Sequence, residues 1–296
     1  MNSIDIESKK FLGQPKNFVS IFNALLFDGQ PVLKPEYLKD ENSELVMNVS
    51  SKHVDIIKRY EDGTYLDLFV IESQSYVDPS MVARVMEYES VARMRYIRQN
   101  FKKHVPMHTR LPMILTVVLY VGESKWNAAK RLSELEIIHP GFEDMFNEFK
   151  LNLIELNTNH KYNTGEKATQ DFFDLLRMIY RKQILKEDLD REFNRDALYF
   201  AYVVTKNKEL LNIYQESEKG DVKVCRALDE MFEESTNKGI QMGIKQGIEQ
   251  GVERGVKNTQ IKIAIKMLVR NNQTLEEISE IVGLDLDALR ELKKSI

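Results

Sequence analysis

Apolar residues at Phe18, Ile21, Phe22, Leu25 and Leu26 recur at helical spacing and stop at Asp28-Gly29, predicting a helix over 17–27. After a loop containing Pro31 and Pro35 the rhythm changes. Residues 53–60 and 65–74 are rich in β-formers, and Glu61-Asp62-Gly63-Thr64 between them supplies turn chemistry, which predicts a β-hairpin. Asp78-Pro79 reads as an N-cap with proline at the first helical position. The helix it opens runs to about residue 100, with Met81, Val85, Tyr88, Ala92 and Tyr96 as its buried stripe. Residues 111–122 are apolar almost throughout, as in a central strand covered on both faces. Strand, helix and strand in this order make a right-handed crossover between parallel strands. A further strand is expected over 151–156 and a further helix over 168–184. The order α-β-β-α-β-β-α gives an α/β core.

Beyond about residue 195 the signal is helical, so three regions are expected: a core over 1–195, a helical connection over 196–235 and a C-terminal part over 236–296. Glycines at 239, 243, 247, 251 and 255, each followed by Ile or Val, form a four-residue repeat. Each costs about 1 kcal/mol against alanine inside a helix, so the repeat asks for something packed closely on that face. At 3.6 residues per turn the stripe winds right-handedly. It reads either as a self-association helix or as a semi-flexible tether. Thr274-x-x-Glu277 is a capping box, Gly283 ends that helix, and a second short helix follows over 285–293. The pair resembles a helix-turn-helix. Asp285, Asp287 and Glu291 on its second helix oppose a phosphate surface, which favours a packing module over direct reading of DNA.

Composition narrows the classes without choosing among them. Hydrophobic residues at 43% and charged residues at 30% describe an ordinary globular protein. A net charge of −4 provides no overall basic field, so contact with nucleic acid needs a local patch. Cys225 is the single cysteine, which excludes an intramolecular disulfide. The N-terminal residues lack the apolar core of a signal peptide and no run reaches the length of a membrane span, so a cytoplasmic protein is expected. Of the five histidines only His104 and His108 are four apart, and a histidine-based metal centre is not expected; no phosphate-binding Gly-x-x-x-x-Gly-Lys sequence supports a nucleotide cofactor.

The candidate chemistry lies in the hairpin. Glu72 sits in the apolar strand 66–74, where an isolated anion is expensive to desolvate. Strand alternation puts Asp55, Ile57 and Arg59 on one face, and Leu66, Leu68, Val70, Glu72 and Gln74 on one face of the second strand; Asp67 points the other way. Folding at Asp62-Gly63 sets Asp55 opposite Val70 with Glu72 as diagonal neighbour, roughly 7–8 Å away and within reach of one hard divalent cation. A three-residue loop would instead set Asp55 opposite Phe69. The alternative is that Asp55 caps its strand and Glu72 pairs with Arg84. Arg84 and Tyr88 are neighbours four apart on the helix, where Arg84 could meet a phosphate. From Arg93 to Arg110 the chain carries Arg93, Arg95, Arg98, Lys102, Lys103 and Arg110 with no acid, reading either as a basic face beside the carboxylates or as a solvated helix end. Trp126 reads as a core anchor.

Val54-Asp55-Ile56-Ile57, Val70-Ile71-Glu72-Ser73-Gln74-Ser75 and Met81-Val82-Ala83-Arg84-Val85-Met86-Glu87-Tyr88 together resemble the Rpn family of recombination-promoting nucleases and transposases, in the PD-(D/E)XK superfamily. Phe18 to Asn23, Pro35-Glu36-Tyr37-Leu38, Leu115 to Gly122 with Trp126, and the glycine-repeat helix extend the likeness over most of the chain. The resemblance implies a restriction-endonuclease-like mixed sheet flanked by helices, with an all-helical C-terminal region. It implies Mg²⁺-dependent (Mn²⁺ as substitute) hydrolysis of DNA phosphodiesters. Asp55, Glu72 and Gln74 would be catalytic, and Asp55, Glu72 and the Ser73 carbonyl would hold the metal. Arg84 and Tyr88 would meet substrate, and the C-terminal helices would join copies. Gln74 stands where many superfamily members carry lysine; it can orient water but cannot act as a base. The first helix offers Asn17, Ser20 and Asn23 but no acid. These departures support the alternative of a weak or inactive nuclease fold that binds DNA or oligomerises.

Overall fold

A computed structural model of the chain describes residues 3–41, 56–63, 66–184, 188–217 and 220–296. The helices α1 (Ser3–Leu12) and α2 (Pro15–Phe27) lead into a five-stranded sheet. Its strands are β1 (Leu38–Asp40), β2 (Ile56–Glu61), β3 (Leu66–Gln74), β4 (Ile114–Tyr120) and β5 (Asn152–Glu155), in the order β1-β2-β3-β4-β5. β1, β2 and β3 run antiparallel to one another; β3, β4 and β5 run parallel. The helix α3 (Met81–Asn100) makes the crossover from β3 to β4, and α4 (Lys167–Arg181) follows β5. The fold is therefore the mixed α/β sheet with flanking helices that the sequence implies. The helix α1 and the edge strand β1 were not expected from pattern.

The two faces of β3 carry different helices because its side chains alternate. On one face the Phe22 ring of α2 lies 4.7 Å from that of Phe69. On the other, Tyr88 and Ala92 of α3 pack with Ile57, Leu68, Val70 and Ile114, all buried. Further along that face Met81, Val82 and Val85 pack with Val118, Tyr120 and Trp126, so Trp126 is the core anchor expected of it. α3 thus runs antiparallel to β3 and β4, its N-terminal half over their carboxyl ends. Burial of each large apolar side chain contributes about 1.5–3 kcal/mol, which is why the strands adopt this pattern rather than a register turned inside out.

The hairpin register differs from the one expected. Val70 pairs with Ile57 and Ile71 with Ile56, while Glu61 itself pairs with Leu66. Four residues, 62–65, therefore separate the last paired positions, not the two of an Asp62-Gly63 turn. Gly63 has φ +89°, a backbone state that a glycine adopts readily. A shift of two leaves every side chain on its expected face, which is why the core reading survives it. The helix α3 also begins later than Pro79. Ser80 flanks its start, and the Asp78 carboxylate accepts from the Ser80 N–H and hydroxyl at 2.9 and 2.7 Å. Tyr96 is only half-buried.

The chain divides into two compact units, Met1–Asp229 and Glu230–Ile296. The first includes α5 (Arg195–Thr205), α6 (Lys208–Glu216) and the two-residue strands β6 (Glu192–Phe193) and β7 (Val222–Lys223). Phe200 of α5 joins Phe11 and Phe172 at ring distances of 4.9 and 4.5 Å. The helix α7 (Cys225–Arg270) starts in this unit, with Cys225 and Leu228 buried, and continues in the second. There α7 carries the glycine repeat. A methyl added at any of the five glycines would meet no atom within 4 Å, so within the described chain nothing packs on that face. α8 (Leu275–Val282) opens on the Thr274–Glu277 capping box and ends at Gly283. α9 (Leu286–Lys294) follows with Asp285 as its cap. Ala264, Leu268, Ile278, Val282 and Leu289 form the core of this small module. On α9, Arg290 pairs with Asp287 and Lys294 with Glu291.

Candidate functional site

Three strands end together at the carboxyl edge of the parallel part of the sheet: Gln74 lies beside Tyr120, and Tyr120 beside Glu155. Ligands of open α/β sheets gather at this edge. Glu72 and Gln74 share the α3 face of β3 and both are buried, Glu72 to 2% exposure. The Gln74 amide donates to Glu72 Oε1 at 2.8 Å.

Arg84, on the first turn of α3, sits at the centre of the cluster. Its Nη2 donates to Glu72 Oε1 at 2.9 Å and to the Tyr88 hydroxyl at 2.7 Å, and its Nε to the same hydroxyl at 3.0 Å. Its Nη1 donates to Asp78 Oδ2 at 2.5 Å. The helical spacing of four explains how one guanidinium meets Tyr88 while reaching back to the strand and its following loop. Burial alone would ease deprotonation of Arg84, but its bonds to Asp78 and Tyr88 and the Glu72 charge hold it above its ordinary value. Burial raises Asp78 while the bonds from Ser80 and Arg84 lower it further, so its carboxyl lies below the usual range. Burial, then the Glu72 charge, pushes the Tyr88 phenol up. The phenol is therefore neutral at ordinary pH and can donate.

The structure thus brings together Glu72, Ser73, Gln74, Arg84 and Tyr88 from the sequence reading. Asp55 lies outside the described residues. From the sequence Asp78 reads only as a helix cap; its second role depends on a tertiary contact with Arg84 that no local spacing reveals. Asp67 alternates to the opposite face as expected and accepts the Met113 N–H at 3.1 Å. Its burial raises the carboxyl above the usual range.

Two expectations change. The helix α2 lies on the Phe69 face, opposite Glu72, and its polar residues are committed elsewhere. Asn17 donates to the Phe11 carbonyl at 2.9 Å, Ser20 donates to the Asn17 carbonyl and accepts from the Thr169 hydroxyl at 2.8 Å each, and Asn23 brackets the Leu33 backbone. These three side chains therefore meet partners of their own rather than Glu72. The basic run of 93–110 is not beside the carboxylates either. Because α3 runs antiparallel to β3, Arg84 is at one end of the sheet and Arg98 is about 21 Å further along the helix, at the other.

Among the described residues, no group of three or more His, Cys, Asp or Glu side chains could hold a metal ion. No helix of the described residues is long and apolar enough to cross a membrane.

The site is thus an acid and an amide two residues apart at the end of β3, with Arg84 of the crossover helix bonded to the acid. Residues 36–210 match the model of the family described as "Putative transposase, YhgA-like", and the chain belongs to that family, part of the Rpn group of the PD-(D/E)XK superfamily. No curated protein and no solved structure matches the chain. Membership points to a nuclease of transposition or recombination type.

Proposed function

We propose that this protein is a cytoplasmic, metal-dependent DNA endonuclease of low sequence specificity, acting in recombination or transposition. The observation that carries the reading is the Glu72–Gln74 pair, buried at the carboxyl edge of β3 in a chain of this family.

The donor set suits a hard cation, since it offers carboxylate and carbonyl oxygens and no thiol or imidazole. Mg²⁺, or Mn²⁺ in its place, would be held by Asp55, Glu72 and the Ser73 carbonyl. When bound, the ion supplies polarisation of a phosphoryl oxygen and a more acidic water. Glu72 would hold it, with the carboxylate oriented by Arg84 and Gln74. The Gln74 amide orients the attacking water by hydrogen bonding but takes no proton. Arg84 and Tyr88 receive a phosphate oxygen, for which Arg84 exchanges one of its present bonds.

Supercoiled plasmid incubated with protein and Mg²⁺ should be nicked, and Asp55→Ala and Glu72→Ala should abolish nicking. Equal nicking by all three forms would remove the site.

A second reading is favoured by one observation. Ile240, Ile244, Ile248 and Val252 on α7 are each 55–62% exposed. A nuclease fold that is catalytically weak and works by joining copies through this helix would keep such a stripe. Sedimentation of Ile244→Asp/Ile248→Asp beside the wild type separates the two readings: a dimer that turns monomeric while nicking persists shows that α7 joins copies and that cleavage is separate. Calorimetry with Mg²⁺ showing no Asp55-dependent heat would favour the inert form.

A further inference from the structure

Resting on the DNA reading above, we propose that the far end of α3 and the loop after it form a second contact for duplex DNA, a backbone-binding ridge separate from the carboxylate site. The positions carry the case. On a helix, 84, 95 and 98 are separated by eleven and three residues, which returns each to one flank at 100° per residue. Arg84 at the site therefore lies in line with Arg95 and Arg98, and Arg98 is exposed. Lys102, Lys103, His104, His108 and Arg110 continue from the helix end and are all exposed. Among the described residues, Arg95, Arg98, Lys102, Lys103 and Arg110 form no ion pair with a carboxylate, whereas Arg93, on the other flank, pairs with Glu89 at 3.0 Å.

Acids around the ridge are few and mostly committed. Glu41 pairs with Arg59, and Asp67 holds the Met113 N–H. Glu87 is the acid nearest the flank. A solvated helix end does not need two arginines in line with Arg84 and three more unpaired cations just beyond them; a polyanion does. The spacing selects a duplex. About 21 Å from Arg84 to Arg98 corresponds to roughly six base pairs at 3.4 Å each, so one duplex lying along α3 reaches both places. The ridge contacts phosphates only, which agrees with low sequence specificity.

The test is fluorescence anisotropy of the full-length protein with labelled duplexes in EDTA, where cleavage is silent. K102E/K103E/R110E alters only exposed side chains, and K102Q/K103Q/R110Q repeats it without charge reversal; circular dichroism confirms folding. For a 30-base-pair duplex the reversal should weaken binding at least tenfold. The slope of log affinity against log salt should fall by about 2.7, at roughly 0.9 per lost phosphate contact. On a hairpin with a stem of four base pairs, too short to reach both places, the reversal should weaken binding by a smaller factor than on the long duplex. Unchanged affinity and slope on the long duplex overturn the ridge. So does loss of binding to phosphatidylserine vesicles without loss of DNA binding. Failure of the nuclease reading looks different: wild type and Glu72→Ala both bind through the ridge, and neither nicks plasmid with Mg²⁺.

Discussion

Two buried ionic clusters in the first unit use the same residue types and are built differently. On α4, Asp171 receives Arg191 at 2.5 Å, Lys167 at 2.7 Å and the Asn194 N–H at 2.7 Å. Asp174 receives Arg177 and Arg191 at 2.8 Å each. Asp188 and Asp221 sit at the rim, 3.5 Å from Arg191 and 3.3 Å from Lys167. This cluster ties α4 to the segment leading into α5, each buried carboxylate meeting two cations. At the end of β3 one guanidinium serves both Glu72 and Asp78. A buried ion pair is weak evidence of stabilisation in itself, but removal of one partner leaves an uncompensated charge and is costly. The α4 cluster is saturated with cations. In the β3 cluster a carboxylate and an amide share a hydrogen bond at the carboxyl edge of the parallel strands.

The contrast can be broken by four measurements. Arg191→Ala should have the largest effect, a loss of about 3–5 kcal/mol in urea unfolding, because two buried carboxylates lose a partner. A loss below about 1 kcal/mol would mean that the cluster is not structural. Arg84→Ala should cost less, about 2–3 kcal/mol, and Mg²⁺ should restore part of the melting temperature if the vacated charge is met by a cation. No response to Mg²⁺ would count against metal binding at Glu72.

Asp78→Asn comes next, and its signature is pH dependence. The folded-state carboxyl of Asp78 is lowered, chiefly by bonds from Ser80 and Arg84 acting against burial. Its contribution is therefore complete above the value of an unfolded aspartate, about 3.9, and is lost as pH falls through the lower folded value. Acid unfolding of the variant should show a shallower loss of stability below about pH 4; an unchanged profile would remove the role. Glu72→Gln should be smallest in stability, within about 1 kcal/mol, since an amide keeps the shape and an oxygen for Arg84 and Gln74. Nicking should nevertheless disappear. A loss of several kcal/mol would make Glu72 the same kind of residue as Asp171.

Much of this molecule could be read from spacing. The apolar run of β4 and the buried stripe of α3 report burial directly, so the crossover and its direction followed. The face of Glu72 and Gln74 also followed, because alternation has a period of two and tolerated the actual shift in hairpin register. What could not be read is what depends on meetings between distant segments. Asp78 shows only a cap to its neighbours in sequence, and its partner is six residues away on a different element. The position of the basic run relative to Glu72 is hidden for the same reason: composition records that cations are present, while only the antiparallel course of α3 tells which end of the sheet they reach. The α7 glycines demanded a close partner by propensity, and within the described chain none packs there.

The outer strand β1 is three residues long, and both of its charged side chains are tied across to β2: Lys39 with Glu61 and Lys58 with Asp40. A border so short and so heavily charged is a poor template for another chain's strand. Growth of the sheet by addition at that margin is disfavoured, which protects the protein against edge-to-edge aggregation.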